Sequence, residues 1–270
     1  MKIKEECSIC NSKSTFAFNS EYYRIDQCSN PECGHFFVKK ANFYNEDLRD
    51  SNTLESWVYI KNIEKYLKRN KHLINFLKKI KFIEKGFRVL DIGSGTGHII
   101  QSLLSQLDNL EITAIESSRK LQEYIKSLNL NITLYNTIDQ VPKEKQYDAI
   151  FMIEVIEHLL DPITVLTEAK KRLKQNGKLF LTTPAGDTRE GISDKSKLTA
   201  YKRKGHIQFF TERSLKYAIS IAGFNKMRYY AVKEFHNFEG ELDPDIEEKR
   251  KAAYQRYKKG KNQHLTYIIS

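Results

Sequence analysis

The sequence predicts a doubly wound α/β sheet preceded by a small cysteine-bearing ribbon, on three observations. From residue 87 onward short apolar strands alternate with amphipathic helical stretches, the order that sets parallel strands side by side with helices on both faces. The first of these strands, FRVLDI (87–92), runs into a glycine turn, GSGTG, and then into the helical HIIQSLLSQL. In such sheets ligands sit beyond the carboxyl ends of the strands. All four cysteines lie ahead of this region, within the first 33 residues.

Taken in order, residues 1–40 read as the ribbon and 41–50 (ANFYNEDLRD) as a polar start to a helical connector that extends to 85. Residues 52–81 carry apolar positions between lysines at helical spacing, with a break expected at Asn70, and Gly86 closes the segment. The domain from 86 to 270 then supplies seven strands. After FRVLDI come EITAI (111–115), NITLY, YDAIFMI (147–153), KLFLTTP, FNKMRYYAV and HLTYIIS. Between them lie SRKLQEYIKSL, a helix opened by Asp161 and Pro162 and expected to run to about Gln175 before Gly177, and a helix capped by Thr211 and stopped at Gly223. A basic insertion, 240–263, separates the last two strands.

The chain has 270 residues, 40% of them hydrophobic and 29% charged, with a net charge of +11. Its start, MKIKEECSIC, has no apolar core of a secretory signal, and no run reaches the roughly 18 apolar residues of a membrane helix. A cytoplasmic protein without membrane insertion is expected. The basic balance suits an anionic partner or a solvated lysine-rich surface. Nothing in the pattern speaks to oligomeric state.

Cys7 and Cys10 form one close pair, and Cys28 and Cys33 a second. Two such knuckles suit one tetrahedral four-sulfur site, and soft thiolates favour zinc in a closed, structural role. Disulfides would not normally persist in a cytosolic chain, and a redox CxxC pair would leave Cys28 and Cys33 unexplained. Phe16, Phe18, Tyr22, Tyr23, Phe36 and Phe37 would form the ribbon's small core.

The glycine turn raises the question of its ligand. Glycines 93, 95 and 97 allow close backbone approach, but His98 stands where a dinucleotide fingerprint has its third glycine. Asp91 at the mouth of the turn would repel a pyrophosphate and attract a cation. Glu116 ends the second strand, roughly 20 residues on, where an acid can bind ribose hydroxyls.

VLDIGSGTG, the acid of AIESS, the YDAIF strand, EVIEHLLDP and KRLKQNGKLFLTTP occur in one order over roughly 85–235. Together they resemble a class I S-adenosylmethionine-dependent methyltransferase, with its Rossmann-like fold. EVIEH and the downstream GHIQFFT resemble the ubiquinone-biosynthesis O-methyltransferase group. The cysteine ribbon is similar to that of bacterial methyltransferases that modify sugars and natural-product intermediates. The resemblance implies that Asp91, Gly93 and Gly95 line the methionine end of the cofactor, Glu116 its ribose, and Ile138 with Asp139 its adenine. Ser94, Gly97, Ser117 and Ile153 complete the expected cofactor set.

Glu154, Glu157 and His158 sit in the otherwise apolar run IFMIEVIEHLL, at a spacing that gathers them on one helical turn. The resemblance implies that such a turn helps bind a divalent metal, and this sequence offers His206 as a distant candidate for a fourth ligand. Histidine nitrogens favour Mn²⁺ over Mg²⁺. Without metal, His206 would serve as general base beside His158 and Glu157, or the turn would be structural. Lys202, Arg203 and Lys204 lie in a long loop, 186–206, suited to a lid or to an anionic acceptor.

The expected reaction is methyl transfer from S-adenosylmethionine to an oxygen of a small anionic acceptor, such as a nucleotide-linked or phosphorylated sugar or a capsule or natural-product precursor. An RNA acceptor is the alternative, and N- or C-methylation without metal stays open. A dehydrogenase and a non-catalytic binding protein are the more distant readings.

Overall fold

In the computed structural model, the residues described are 6–39, 60–187, 195–230 and 264–270, with a few positions between 248 and 255. The expected connector at 41–50, the first part of the 52–81 helix, positions 188–194 of the long loop and most of the 240–263 insertion lie outside them.

A seven-stranded sheet carries the larger part of the chain, in the order β10-β11-β8-β7-β4-β5-β6. Its strands are β4 (Arg88–Ile92), β5 (Glu111–Ile115), β6 (Ile132–Tyr135), β7 (Tyr147–Ile153), β8 (Leu173–Pro184), β10 (Met227–Tyr229) and β11 (His264–Ile269). β6, β5, β4, β7 and β8 run parallel, and β11 and β10 are antiparallel additions at one edge. The chain order reverses at β4, which has β5 on one side and β7 on the other. This is the switch point where a doubly wound sheet opens a crevice. Alternate residues divide between the faces. Val89, Phe151 and Phe180 join Phe82 and Leu77 on one side, while Leu90, Ile150 and Leu179 join Leu166 and Leu215 on the other.

Helices α1 (Ile63–Lys79), α2 (His98–Leu104), α3 (Arg119–Ser127), α4 (Pro162–Lys171) and α5 (Glu212–Ile221) flank the sheet. Three start on side-chain caps read from the sequence or adjacent to it: Ser118, Asp161 and Thr211 each accept from a backbone N–H in the first turn. Two expectations need correction. Helix α1 does not break at Asn70, because the buried Asn70 amide donates to the His98 carbonyl at 3.3 Å and so satisfies itself against α2. Helix α4 ends at Lys171 rather than near Gln175, and Gly177 is not its stop but a residue of β8. A Cβ at Gly177 would lie 2.8 Å from the Tyr147 carbonyl, so a neighbouring strand, not a helix end, demands glycine there.

A second sheet, β1-β2-β3-β9, holds the ribbon strands β1 (Ser14–Asn19), β2 (Arg24–Cys28) and β3 (Phe36–Val38). Its fourth strand, β9 (Gln208–Phe209), comes from the segment just before α5. The ribbon therefore gains its core partly from outside itself: Ile25, Phe36 and Val38 pack with Leu198, Tyr201, Ile207 and Phe209. Of the expected ribbon aromatics, Phe36 and Phe37 are buried, whereas Phe16 is 52% and Tyr22 39% exposed. Among the described residues, no helix is long and apolar enough to cross a membrane.

Candidate active site

The turn after β4 is tied to the end of β5. Gly93 N and Ser94 N both donate to the Ile115 carbonyl, at 2.8 and 3.0 Å. Ser94 Oγ donates to the Asp91 carbonyl. Glu116 spans the gap, its Oε2 accepting from Gly95 N and its Oε1 from Ser118 N, each at 2.8 Å. Gly93 has a φ of +73°, and a Cβ on it would come within 2.5 Å of Val155 Cγ2. Only glycine lets the turn after β7 pack there. Among the described residues nothing lies within 4 Å of the Cβ position at Gly95, so they leave the backbone of this turn bare.

Asp91 is buried, and its Oδ2 has no hydrogen-bond partner among the described residues. Burial pushes its carboxyl up to about 7, with Ser94 opposing and Glu116 reinforcing the shift. An orphaned buried acceptor is costly. It is matched by a ligand that brings a cationic hydrogen-bond donor to the turn, which fits S-adenosylmethionine and not a pyrophosphate. Burial also raises Glu116, against the backbone N–H groups that stabilise its charge. On the expected adenine side, Ile138 is buried and Asp139 exposed in a short turn, 138–140. A residue missed in the sequence holds that turn. The fully buried Arg172 donates to the Ile138 and Val141 carbonyls, both at 3.2 Å, and pairs with Glu168. Ser117 is exposed, Ile153 half-buried at the end of β7, and Gly97 caps α2 at a φ of +68°.

Beyond β7 the acidic turn divides. Glu157, His158 and His206 bring one possible metal-donor atom each to within 4.8 Å of one another. The two imidazoles meet edge to face with ring centres 4.9 Å apart. His158 Nδ1 donates to the Gly205 carbonyl and His206 Nδ1 to the Ala200 carbonyl, each at 2.9 Å. Since a carbonyl only accepts, Nε2 is the lone-pair nitrogen of each neutral ring, the arrangement typical of metal-binding histidines. Glu157 accepts from Thr183 Oγ1 at 2.9 Å on Oε2, while its buried Oε1 has no partner among the described residues. Burial and the neighbouring Glu154 push Glu157 well above the usual carboxylate range. Burial, helped by His158, lowers His206 to about 3.

Glu154 does not complete this donor group. At a φ of +55° the backbone turns its carboxylate toward Thr182 Oγ1, 2.8 Å away, and His264 Nε2, 3.4 Å away. A non-glycine residue held in this region marks a functional or strained position. His264, which no motif of the sequence singles out, opens β11. Burial alone would lower it, but Glu154 outweighs that and holds it above its ordinary value. Arg203 is exposed on the loop beside this cluster, where its charge acts on Glu157, His206 and His264, and the exposed Lys204 places its ammonium 5.4 Å from the Tyr22 ring centre.

The ribbon cysteines converge as well. Cys7, Cys10, Cys28 and Cys33 place their sulfurs within 4.8 Å of one another, with Cys7 and Cys33 3.8 Å apart and Cys10 and Cys28 3.4 Å apart. A tetrahedral ion with bonds of about 2.3 Å to sulfur requires edges of about 3.8 Å. All four are free thiols. The sulfurs compete for charge: the Cys33 thiol lowers Cys7 to about 6, while burial lifts Cys28 to about 12. Such a set fits a metal that neutralises every thiolate.

A methyltransferase-domain family profile matches residues 59–228. Over 109 residues the chain is 32% identical to a mitochondrial ubiquinone biosynthesis O-methyltransferase from Candida albicans, covering 37% of this chain and 33% of that protein. Over 124 residues it is 32% identical to the ubiquinone biosynthesis O-methyltransferase of Coxiella burnetii RSA 493, covering 42% and 51%. The chain thus spans about a third to a half of the length of these curated relatives. Among solved structures it is similar to the plantazolicin methyltransferase BpumL in complex with SAH, with a TM-score of 0.57 at 16% identity over 84% of this chain and 91% of that one. It is also similar to an S-adenosylmethionine-dependent methyltransferase from Clostridium acetobutylicum, with a TM-score of 0.51 at 12% identity over 79% and 96%. These two likenesses concern the fold alone. The matched span contains the glycine turn, the orphaned Asp91, Glu116 and the acidic turn, and the chain belongs to the class I S-adenosylmethionine-dependent methyltransferases.

Proposed function

We propose that this protein transfers the methyl group of S-adenosylmethionine to a hydroxyl oxygen of a small anionic acceptor, with a divalent ion held by Glu157, His158 and His206. The observation that carries the reading is the donor set itself. Glu157, His158 and His206 each bring one possible donor atom to within 4.8 Å of the others, both imidazoles keep Nε2 as the lone-pair nitrogen, and Glu157 Oε1 is buried without a partner among the described residues. Two imidazoles and one carboxylate leave coordination positions open and suit Mn²⁺ or another transition ion better than Mg²⁺. Such an ion would lower the pKa of an acceptor hydroxyl, and the cofactor would supply the electrophilic methyl group.

The chain's own residues do the remaining work. Asp91 and Glu116 bind and orient the cofactor. Arg203 and Lys204 receive the acceptor's negative charge. This favours a nucleotide-linked or phosphorylated sugar, or a related capsule or natural-product precursor. The names of the ubiquinone-pathway relatives support oxygen as the methylated atom. We assign the ribbon, residues 1–40, a structural zinc, residues 41–85 a helical connector, residues 86–270 the catalytic domain, and the whole a cytoplasmic setting. Transfer of labelled methyl from S-adenosylmethionine to a panel of sugar nucleotides and sugar phosphates tests the reading. Turnover of RNA alone, with steep salt dependence, would replace the acceptor class, and binding of NADH without S-adenosylmethionine would overturn the activity.

The zinc assignment carries its own expectation. Purified protein should contain about one zinc per chain by elemental analysis, and Cys10→Ser should lose it and lower the thermal stability of the ribbon. Cofactor binding should survive, because the turn after β4 lies in the other sheet. A folded ribbon free of metal would overturn it.

A further inference from the structure

The turn around His158 is bonded to the segment on either side of His206. Ile207 N donates to the Glu157 carbonyl at 2.9 Å, and the Gly205 carbonyl accepts from His158 Nδ1 at 2.9 Å. Gln208 Nε2 donates to the Leu159 carbonyl, again at 2.9 Å. Three successive residues of the metal turn, 157–159, are thus gripped by residues 205–208.

That grip belongs to the ribbon sheet. Phe37 pairs with Gln208 and Phe36 with Phe209, and Val38 N donates to the Ile207 carbonyl at 3.0 Å. The side chain of Gln208 adds a direct link. The Leu159 carbonyl can only accept, so the amide nitrogen must face it and the amide oxygen must face the ribbon. There Gln208 Oε1 accepts from Ser8 Oγ at 2.7 Å and from His35 Nε2 at 2.9 Å. Ser8 lies between Cys7 and Cys10, and His35 lies two residues after Cys33. Gln208 is 4% exposed, with both amide atoms satisfied. The cysteine knuckles and the Glu157–His158 turn therefore hold opposite ends of one buried amide.

We infer that the ribbon positions the Glu157–His158–His206 cluster through Gln208, so that metal at the four cysteines raises the cluster's affinity for a divalent ion. Gln208 is a positioning residue: its amide atoms are engaged by the Leu159 carbonyl on one side and by Ser8 and His35 of the ribbon on the other, and it acts through them. An ordered ribbon holds 205–208, and 205–208 holds the donor atoms at their mutual distances. A ribbon that loosens on losing its metal releases this grip while leaving the glycine turn after β4 unchanged. The inference rests on reading both clusters as ion sites.

The test titrates Mn²⁺ into the zinc-loaded protein, follows free Mn²⁺ by electron paramagnetic resonance, and measures S-adenosylhomocysteine affinity by calorimetry. Gln208→Leu should bind Mn²⁺ roughly tenfold more weakly, as expected for loss of an outer partner of a metal site, with zinc content and S-adenosylhomocysteine affinity unchanged. Cys10→Ser should weaken Mn²⁺ to a similar degree. The double variant should be no weaker than either single one, because both cut the same link. Ser8→Ala, which removes one neutral hydrogen bond, should cost about threefold. Where Gln208→Leu loses S-adenosylhomocysteine binding and so has not folded, Gln208→Glu and Ser8→Ala decide: the former keeps an oxygen toward the ribbon but offers the Leu159 carbonyl no donor. Unchanged Mn²⁺ affinity in the folded variants, or additive losses in the double variant, would overturn the coupling alone. Wild-type protein that binds no Mn²⁺ would overturn both the coupling and the ion reading of the cluster.

Discussion

Asp91→Asn is expected to bind S-adenosylmethionine about 10- to 100-fold more weakly than wild type, the cost of one charge-assisted hydrogen bond of roughly 1.5–3 kcal/mol. The substitution keeps the side chain's shape, so the loss reports charge. Asp91 Oδ2 is buried with no partner among the described residues, and burial holds the carboxyl near pH 7 in the unliganded protein. Pairing with a cationic amino group requires the ionised form, so binding must expel a proton from part of the population below that pH. Wild-type affinity should therefore rise as pH increases through about 7 and flatten above it. Asp91→Asn should be weak and flat across the same range. The sign for stability is opposite. A folded pKa raised above the unfolded value gives a contribution that is present at low pH and lost as pH rises through about 7, so the unliganded wild type should lose stability there relative to Asp91→Asn. Calorimetry and thermal melts from pH 5.5 to 8.5 check both trends, and equal pH dependence in the two proteins would exclude Asp91 as the cofactor's charge partner.

The parts of the molecule legible in the sequence are those governed by local physics. The glycine turn, the Asp161–Pro162 and Thr211 caps and the strands EITAI and YDAIFMI each depend on residues a few positions apart, and the structure places them where the pattern does. What escaped depends on contacts between distant segments. Asn70 reads as a helix breaker until the His98 carbonyl satisfies it, and Gly177 as a helix stop until Tyr147 crowds it. The i, i+3, i+4 spacing gathers Glu154 with Glu157 and His158 only if the turn is α-helical. Here residues 156–158 form a tighter 3₁₀ turn entered from a left-handed Glu154, which sends that carboxylate to His264 instead. Neither the two-residue β9 nor the buried Arg172 has a periodic signature, since one is too short and the other reads as a surface residue of a basic helix end.

His206→Ala should abolish tight Mn²⁺ binding, weakening it by more than the roughly 10- to 100-fold typical of losing an outer partner, while S-adenosylhomocysteine binds nearly as in wild type. The asymmetry follows from placement. His206 offers a lone-pair nitrogen to the donor group beyond β7, whereas the expected cofactor contacts lie on the turns after β4 and β5. Removing one imidazole leaves Glu157 with an unpartnered buried oxygen and a single nitrogen donor beside it, too few to offset the desolvation of an ion. Glu157→Gln should be nearly as damaging, because the amide keeps the hydrogen bond from Thr183 but removes the negative charge. Glu154→Gln should be milder toward Mn²⁺, since that carboxylate is spent on Thr182 and His264. Methyl transfer should stop on chelation and return with Mn²⁺. A rate indifferent to chelation, together with a severe His206→Ala defect, would leave a metal-free site in which His206 removes the acceptor's proton. The lowered basicity of that buried ring argues against this outcome, because an imidazole held near pH 3 is a poor base at neutral pH. An ion sharing its Nε2 asks for the neutral ring that the fold already enforces.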